Sequence, residues 1–179
     1  AIEPPIWAAM LANHCRLRGF GANILDCEVE WLDDEASANM IDYLNPRVAC
    51  FVVYGQQPSA STQNMQGAIE TANALKNINS SIPIMFVGAH VAALPRDVLL
   101  NEPSVDYICQ NEGVYTISNF LSAIQSSNFD ASKIRGLGYR DQDGNPVLNQ
   151  TEAIVARGNL EHDLPGMAWE LLPISVNTE

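Results

Sequence analysis

The apolar positions change period several times along the chain, and each change marks an element. Trp7, Met10, Leu11 and His14 recur at helical spacing behind Pro4 and Pro5, which suit a first helical turn because proline presets φ and no amide donor is needed there. This segment closes on Arg18-Gly19-Phe20-Gly21, a glycine stop. Residues 22–29 (ANILDCEV) read as a short strand, and residues 33–46 as a helix that opens with acids and closes on Asn45-Pro46. Residues 47–55 (RVACFVVYG) are almost continuously apolar, the signature of a strand covered on both faces, and are expected at the centre of a sheet. Met65, Ile69, Ala72 and Leu75 predict a long helix behind a Ser/Thr-rich entry. Residues 82–88 (IPIMFVG) follow as a second buried strand, 95–102 as a short helix and 104–113 (SVDYICQNEG) as a third strand. Ile117, Phe120, Leu121 and Ile124 then place one apolar stripe on a helix packed against the sheet.

Strand and helix alternating at this spacing predict an α/β fold: a doubly wound, Rossmann-like or flavodoxin-like parallel sheet with right-handed crossovers and helices on both faces. Beyond residue 130 the pattern changes. Asp143-Gly144 between two extended runs is a hairpin signal, and residues 158–173 form an extended connector anchored by Leu164, Met167 and Trp169. Residues 1–130 are therefore expected to make one domain, and residues 131–179 a hairpin and linker rather than a second domain. A doubly wound sheet ordinarily opens with a strand, whereas this chain starts almost at its first helix; a strand N-terminal to residue 1 is expected to be missing from it.

Composition narrows the function classes. The 179 residues are 47% hydrophobic and 17% charged, an ordinary globular balance for one domain. A formal charge of −12 repels phosphate backbones and anionic lipid surfaces, so neither nucleic acid nor a membrane is an expected partner. No apolar run of about 18 residues is present, and the first residues lack a secretory signal, so a cytoplasmic location is expected. Cys15, Cys27, Cys50 and Cys109 form no CxxC pair and no CxxxCxxC run; they read as small buried side chains, and no metal ligands are expected from them.

In an open parallel sheet the ligand crevice lies beyond the carboxyl ends of the strands. The turn after the strand at 47 supplies Tyr54, Gln57, Ser59, Ser61 and Thr62, which hydrogen-bond neutral polar ligands without adding charge. The turn after 82 supplies Gly88, where a ligand meets bare backbone, and His90; the turn after 104 supplies Glu112 and Gly113 ahead of a helix. Singly these residues also read as turn glycines and helix caps, but three polar loops on one edge point to a binding shelf. His14 reads as a core or boundary histidine and His162 as exposed. No loop brings nucleophile, base and acid together, and His90 with Glu112 is a thin pair, so an independent small-molecule enzyme is the weakest reading.

In chain order, Pro4-Pro5 with WAAMLANHCRLRGF, then ANILDCE, GAHVAALPRDVLLNEPSVDYICQNEG, GLGYRDQDGNPV and LPGMAWELLP resemble the cobalamin-binding domain of cobalamin-dependent radical S-adenosylmethionine enzymes. GAHVAALP is similar to that family's GG-x-H-x-T-x-x-P and QNEGVYT to its R-G-E-G-E; MAWELLP resembles the stretch that precedes the catalytic barrel, which is absent here with its three-cysteine motif. The resemblance implies a cofactor, cobalamin, lying against Gly88, Ala89 and His90, with the Tyr54–Thr62 loop meeting its dimethylbenzimidazole tail and lower face. It implies that S-adenosylmethionine and a [4Fe-4S] cluster belong to the absent barrel, the partner for which this domain would hold a methyl-carrying cobalamin. The parent reaction would be methyl transfer to an unactivated carbon or to phosphorus, with this chain alone catalytically silent. Ala89, Ala92, Asn111 and Val114 depart from the family pattern. The Asp-x-His-x-x-Gly loop of other cobalamin domains does not occur, so binding is expected to be base-off with no histidine ligand to cobalt. The alternative is a flavodoxin-like docking domain that holds no corrin, which the departures at Ala89 and Asn111 favour.

Overall fold

A computed structural model describes residues 4–55, 58–126 and 129–173. Its elements are helix α1 (Ile6–Leu17), α2 (Asp34–Leu44), strand β1 (Ala49–Val52), α3 (Pro58–Ile78), β2 (Ile84–Val87), α4 (Ala89–Ala93), α5 (Pro95–Asn101), β3 (Tyr107–Cys109), α6 (Val114–Gln125), β4 (Leu137–Arg140), β5 (Pro146–Leu148) and α7 (Leu160–Asp163). The strands form one sheet in the order β1-β2-β3-β4-β5. β1, β2 and β3 run parallel, and the hairpin β4–β5 continues the sheet antiparallel. The hairpin expected from Asp143-Gly144 is thus part of the same sheet, with Gly144 left-handed at its turn (φ +83°).

β2 shows why the layers form. All four residues are buried: Ile84 and Phe86 enter a core shared with α2, α3, α4 and α5, while Met85 and Val87 enter a second core with α1 and α6. A strand whose alternate side chains are both apolar must be covered on both faces, and the flanking helices supply the covers. Asp33 caps α2 by accepting the Ala36 N–H (2.8 Å), and Arg18-Gly19 closes α1 with Gly19 left-handed (φ +85°).

Two expectations are corrected. Residues 22–29 form no strand: Asp26 instead opens a turn in which the Glu30 N–H bonds the Asp26 carbonyl and the Leu32 N–H the Cys27 carbonyl. An extended run becomes a strand only beside a partner, and among the described residues none lies next to this one. The strand predicted over 47–55 is at the edge of the sheet, not its centre, because the hairpin extends the sheet past β3 on the other side and nothing among the described residues extends it past β1. Since Ala49 and Val53 donate towards β2, the peptide groups of Cys50 and Val52 point away from it, to the open edge.

Arg140 ties the hairpin to the parallel part. Its guanidinium donates to the carbonyls of Leu99 (2.8 Å) and Glu102 (2.7 Å) at the end of α5 and of Val105 (2.6 Å) ahead of β3. Arg140→Met should cost about 2–3 kcal/mol, since charge-assisted bonds are lost and carbonyls are stranded. A melting temperature lowered by roughly 5–10 °C is the expected calorimetric result for a chain of this size; an unchanged value would show that water replaces the guanidinium.

Candidate cofactor-binding edge

The carboxyl ends of β1, β2 and β3 open on one edge, and the segments that follow the first two are fastened to each other. The Ser61 hydroxyl, fully buried, donates to the Val53 carbonyl (2.5 Å) and accepts the His90 N–H (3.0 Å). Thr62 Oγ1 and His90 Nδ1 share a second bond at 3.0 Å. Asn64 donates to the Tyr54 carbonyl (3.3 Å). Ser59, Ser61 and Thr62, expected in a loop, lie in the first turns of α3, and Ala89 and His90 lie in α4; Ser61 cross-ties the two helix starts, while Ser59 and Thr62 remain exposed and Ala89 and His90 half-buried. Gln57 lies outside the described residues.

Gly88 has a different reason from the one expected. A Cβ there would sit 2.1 Å from the Val53 carbonyl oxygen, so the space freed by the missing side chain is taken by the end of β1 rather than left for a ligand. Gly113 is left-handed (φ +81°) at the start of α6, and a Cβ there would come within 2.7 Å of Val87 Cγ2. Glu112 turns away from the edge and accepts the Val155 N–H. Beside it Asn111 donates to the Glu152 carbonyl (2.7 Å) and accepts the Gly113 N–H (3.2 Å). The third turn is thus braced by the segment after β5, a connection that residues 41 and 43 positions apart in sequence gave no means to foresee.

Tyr54 stands where the first turn begins. Its ring stacks on Trp7 of α1, with centroids 4.7 Å apart and planes 17° from parallel, and burial, with smaller contributions from Cys109 and Glu112, pushes its phenol up to about 12. Trp7 was read only as part of a helical stripe. The available signal was its position in a first turn, because the N-termini of helices that follow parallel strands face the same edge as the strand ends. Next to His90 an open groove of about 350 Å³ runs between α3 and α5 over Met65, Ile69 and Val98, with Glu70, Asp97 and Glu102 along it.

The donor set carries no cation: residues 53–64, 88–91 and 110–114, which run from the strand ends into the helices that follow, contain no Lys or Arg, and their one carboxylate, Glu112, is engaged by backbone. Hydroxyls, amides, backbone N–H groups and a flat aromatic pair fit a large cofactor rimmed with amides and near charge balance, as a corrin is. Among the described residues no group of His, Cys, Asp and Glu side chains is placed to hold a metal ion, and the cysteines form no disulfide. None of the described helices is long and apolar enough to cross a membrane.

Comparison with known proteins agrees with this fold. The anaerobic magnesium-protoporphyrin IX monomethyl ester cyclase of Rubrivivax gelatinosus is 27% identical over 153 residues, 83% of this chain and 26% of the cyclase. The uncharacterized methyltransferase PH0819 of Pyrococcus horikoshii is 26% identical over 171 residues, 96% of this chain and 34% of that protein. The chain thus spans about a quarter to a third of the curated relatives it matches. The cobalamin-dependent S-adenosylmethionine radical enzyme OxsB, solved with aqua-cobalamin bound, shares the fold with a TM-score of 0.69 at 17% identity, over 91% of this chain and 21% of OxsB. The sequence profile of the B12 binding domain matches residues 1–121, and the chain belongs to that family.

Proposed function

We propose that the chain holds cobalamin base-off along this edge, without a histidine on cobalt, and presents it to a radical S-adenosylmethionine catalytic domain carried elsewhere in the same polypeptide. The observation that carries the reading is the fastening of the first two strand ends to each other through Ser61, beside the Trp7–Tyr54 pair, with no Lys or Arg in any of the three segments along the edge. Cobalamin, when bound, supplies a cobalt that can carry a methyl group; this chain's residues supply position. Tyr54 with Trp7 would close the lower face, and a phenol pushed up to about 12 stays protonated near neutral pH. His14 is fully buried under the connector and so is not poised as an axial ligand; His90 has only its Nδ1 engaged, by Thr62, so histidine-free binding rests on the absence of an Asp-x-His-x-x-Gly loop and is decided by the cobalt(II) spectrum. Methyl transfer is the parent reaction this arrangement serves, and the similarity to a methyltransferase from Pyrococcus horikoshii supports it.

The test is retention of colour. Chain reconstituted with hydroxocobalamin should keep red absorbance through gel filtration, and its cobalt(II) form should show no nitrogen coupling from a protein imidazole. Such coupling would refute histidine-free binding. Loss of colour would favour the second reading, a docking domain without corrin, to which the internal engagement of Ser61 and Glu112 gives some support.

A further inference from the structure

The connector after β5 does not trail from the domain; it is laid along α1. Asp163 lies level with the last turn of α1, where its Oδ1 accepts from Arg18 Nη2 (2.8 Å) and its Oδ2 from the Tyr115 hydroxyl (2.5 Å). His14 Nδ1 stands 2.6 Å from the Asp163 carbonyl and donates to it. Further along, Asn13 donates to the Gly166 carbonyl (3.2 Å), and the Ala168 N–H donates to the carbonyl of Ala9, in the first turn of α1. Arg16 pairs with Glu170. The connector therefore runs along α1 from its C-terminal end to Ala9, in the turn that carries Trp7 beside Tyr54, before the turn at Trp169–Leu171 lets Glu170 reach back to Arg16 in the last turn of the helix. In a chain with nine Lys and Arg and a charge of −12, two arginines of a single helix are committed to this contact. Asp163 is 6% exposed, and burying a carboxylate requires partners of this quality.

We propose that Asp163 and Arg18 are positioning residues: they fasten residues 160–172 along α1, the helix that carries Trp7 at the cofactor edge, and so fix the orientation relative to that edge of a catalytic domain joined through the connector. The proposal rests on the cobalamin reading of that edge. It makes α1 a shared support, with Trp7 at the site and His14, Arg16 and Arg18 holding the connector.

The experiment compares Arg18→Met and Asp163→Asn with the unaltered chain. Hydrogen exchange at the amides of Leu164, Ala168 and Leu172 should accelerate at least about tenfold, the scale of one charge-assisted hydrogen bond, while the amides of β2 and β3 and the hydroxocobalamin content stay unchanged. In the full-length protein the same substitutions should lower kcat about tenfold by the same measure, with KM and corrin content preserved, and Arg18→Lys should recover part of the rate. Unchanged exchange overturns the fastening, and an unchanged kcat with a freed connector overturns the positioning role. Failure of the unaltered chain to retain hydroxocobalamin overturns the reading of the site instead, and leaves the exchange result to decide the connector.

Discussion

Gly88→Val should lose both hydroxocobalamin retention and a large part of the stability of the fold. The added Cβ would stand 2.1 Å from the Val53 oxygen and 2.8 Å from its carbonyl carbon, and because both are backbone, no side-chain rotation relieves the overlap. Gly88 itself is extended (φ 160°, ψ 170°), so the cost is contact rather than backbone strain. Relief requires β1 and β2 to part at their carboxyl ends. That displaces the carbonyl to which Ser61 donates, and with Ser61 goes the bond that fixes the His90 N–H. Overpacking of this kind costs about 2–3 kcal/mol, which lowers the melting temperature by roughly 5–10 °C. Gly67→Ala is the control: it lies on α3 with nothing within 4 Å of the new Cβ and should be neutral or slightly stabilising. Melting and colour retention are measured on the same samples; a Gly88→Val protein with unaltered values for both would show that the two strand ends are not in contact.

Acid should release the connector before it unfolds the domain. His14 is fully buried, and desolvation first, then Arg18, hold its pKa below the ordinary 6.5. Its Nδ1 carries the proton given to Asp163, so a second proton must go to Nε2, which has no partner among the described residues. With a depressed folded pKa, His14 contributes stability that is fully present above 6.5 and is lost as the pH falls below it, because the unfolded chain takes the proton more readily. Asp163 acts in the same direction lower down. The Tyr115 hydroxyl, His162 and Arg18 hold its carboxyl at about 2 against an ordinary 3.8, so its contribution is present above 3.8 and fades as the pH falls towards 2. The exchange protection of the Ala168 amide should therefore decline in two steps, the first beginning below pH 6.5, by about tenfold for each pH unit that separates the folded and unfolded pKa values. His14→Asn should erase the first step and keep the second. A single step near 3.8 in the unaltered chain would remove His14 from the account.

The elements fixed by local pattern were legible in the sequence. Runs such as 82–88 and 104–113 can be satisfied only as covered strands, and the stripe from Ile117 to Ile124 only as a helix on a sheet; the structure has β2, β3 and α6 there. What was not legible depends on partners far along the chain. Residues 22–29 carry strand-forming side chains but acquire no ladder, because pairing belongs to two segments and not to one. The place of β1 at the edge was set by the hairpin, more than 80 residues downstream. At the site, residue types identified the right turns, yet the same types served two purposes. Ser61 and Glu112 spend their polar atoms on Val53 and Val155, whereas Thr62, exposed, and His90, half-buried, bond to each other. An aromatic in a helical stripe looks like core, and only the packing of α1 shows Trp7 lying against Tyr54.

Among the described residues nothing pairs with the outer side of β1, which leaves a place where a further strand can dock. The peptide groups of Cys50 and Val52 have no strand partner among the described residues, and an extended segment, one from the same polypeptide included, can add to them one hydrogen bond at a time. Mutual repulsion from twelve excess negative charges works against self-stacking there, so added salt, which weakens that repulsion, is the condition under which the rim becomes adhesive.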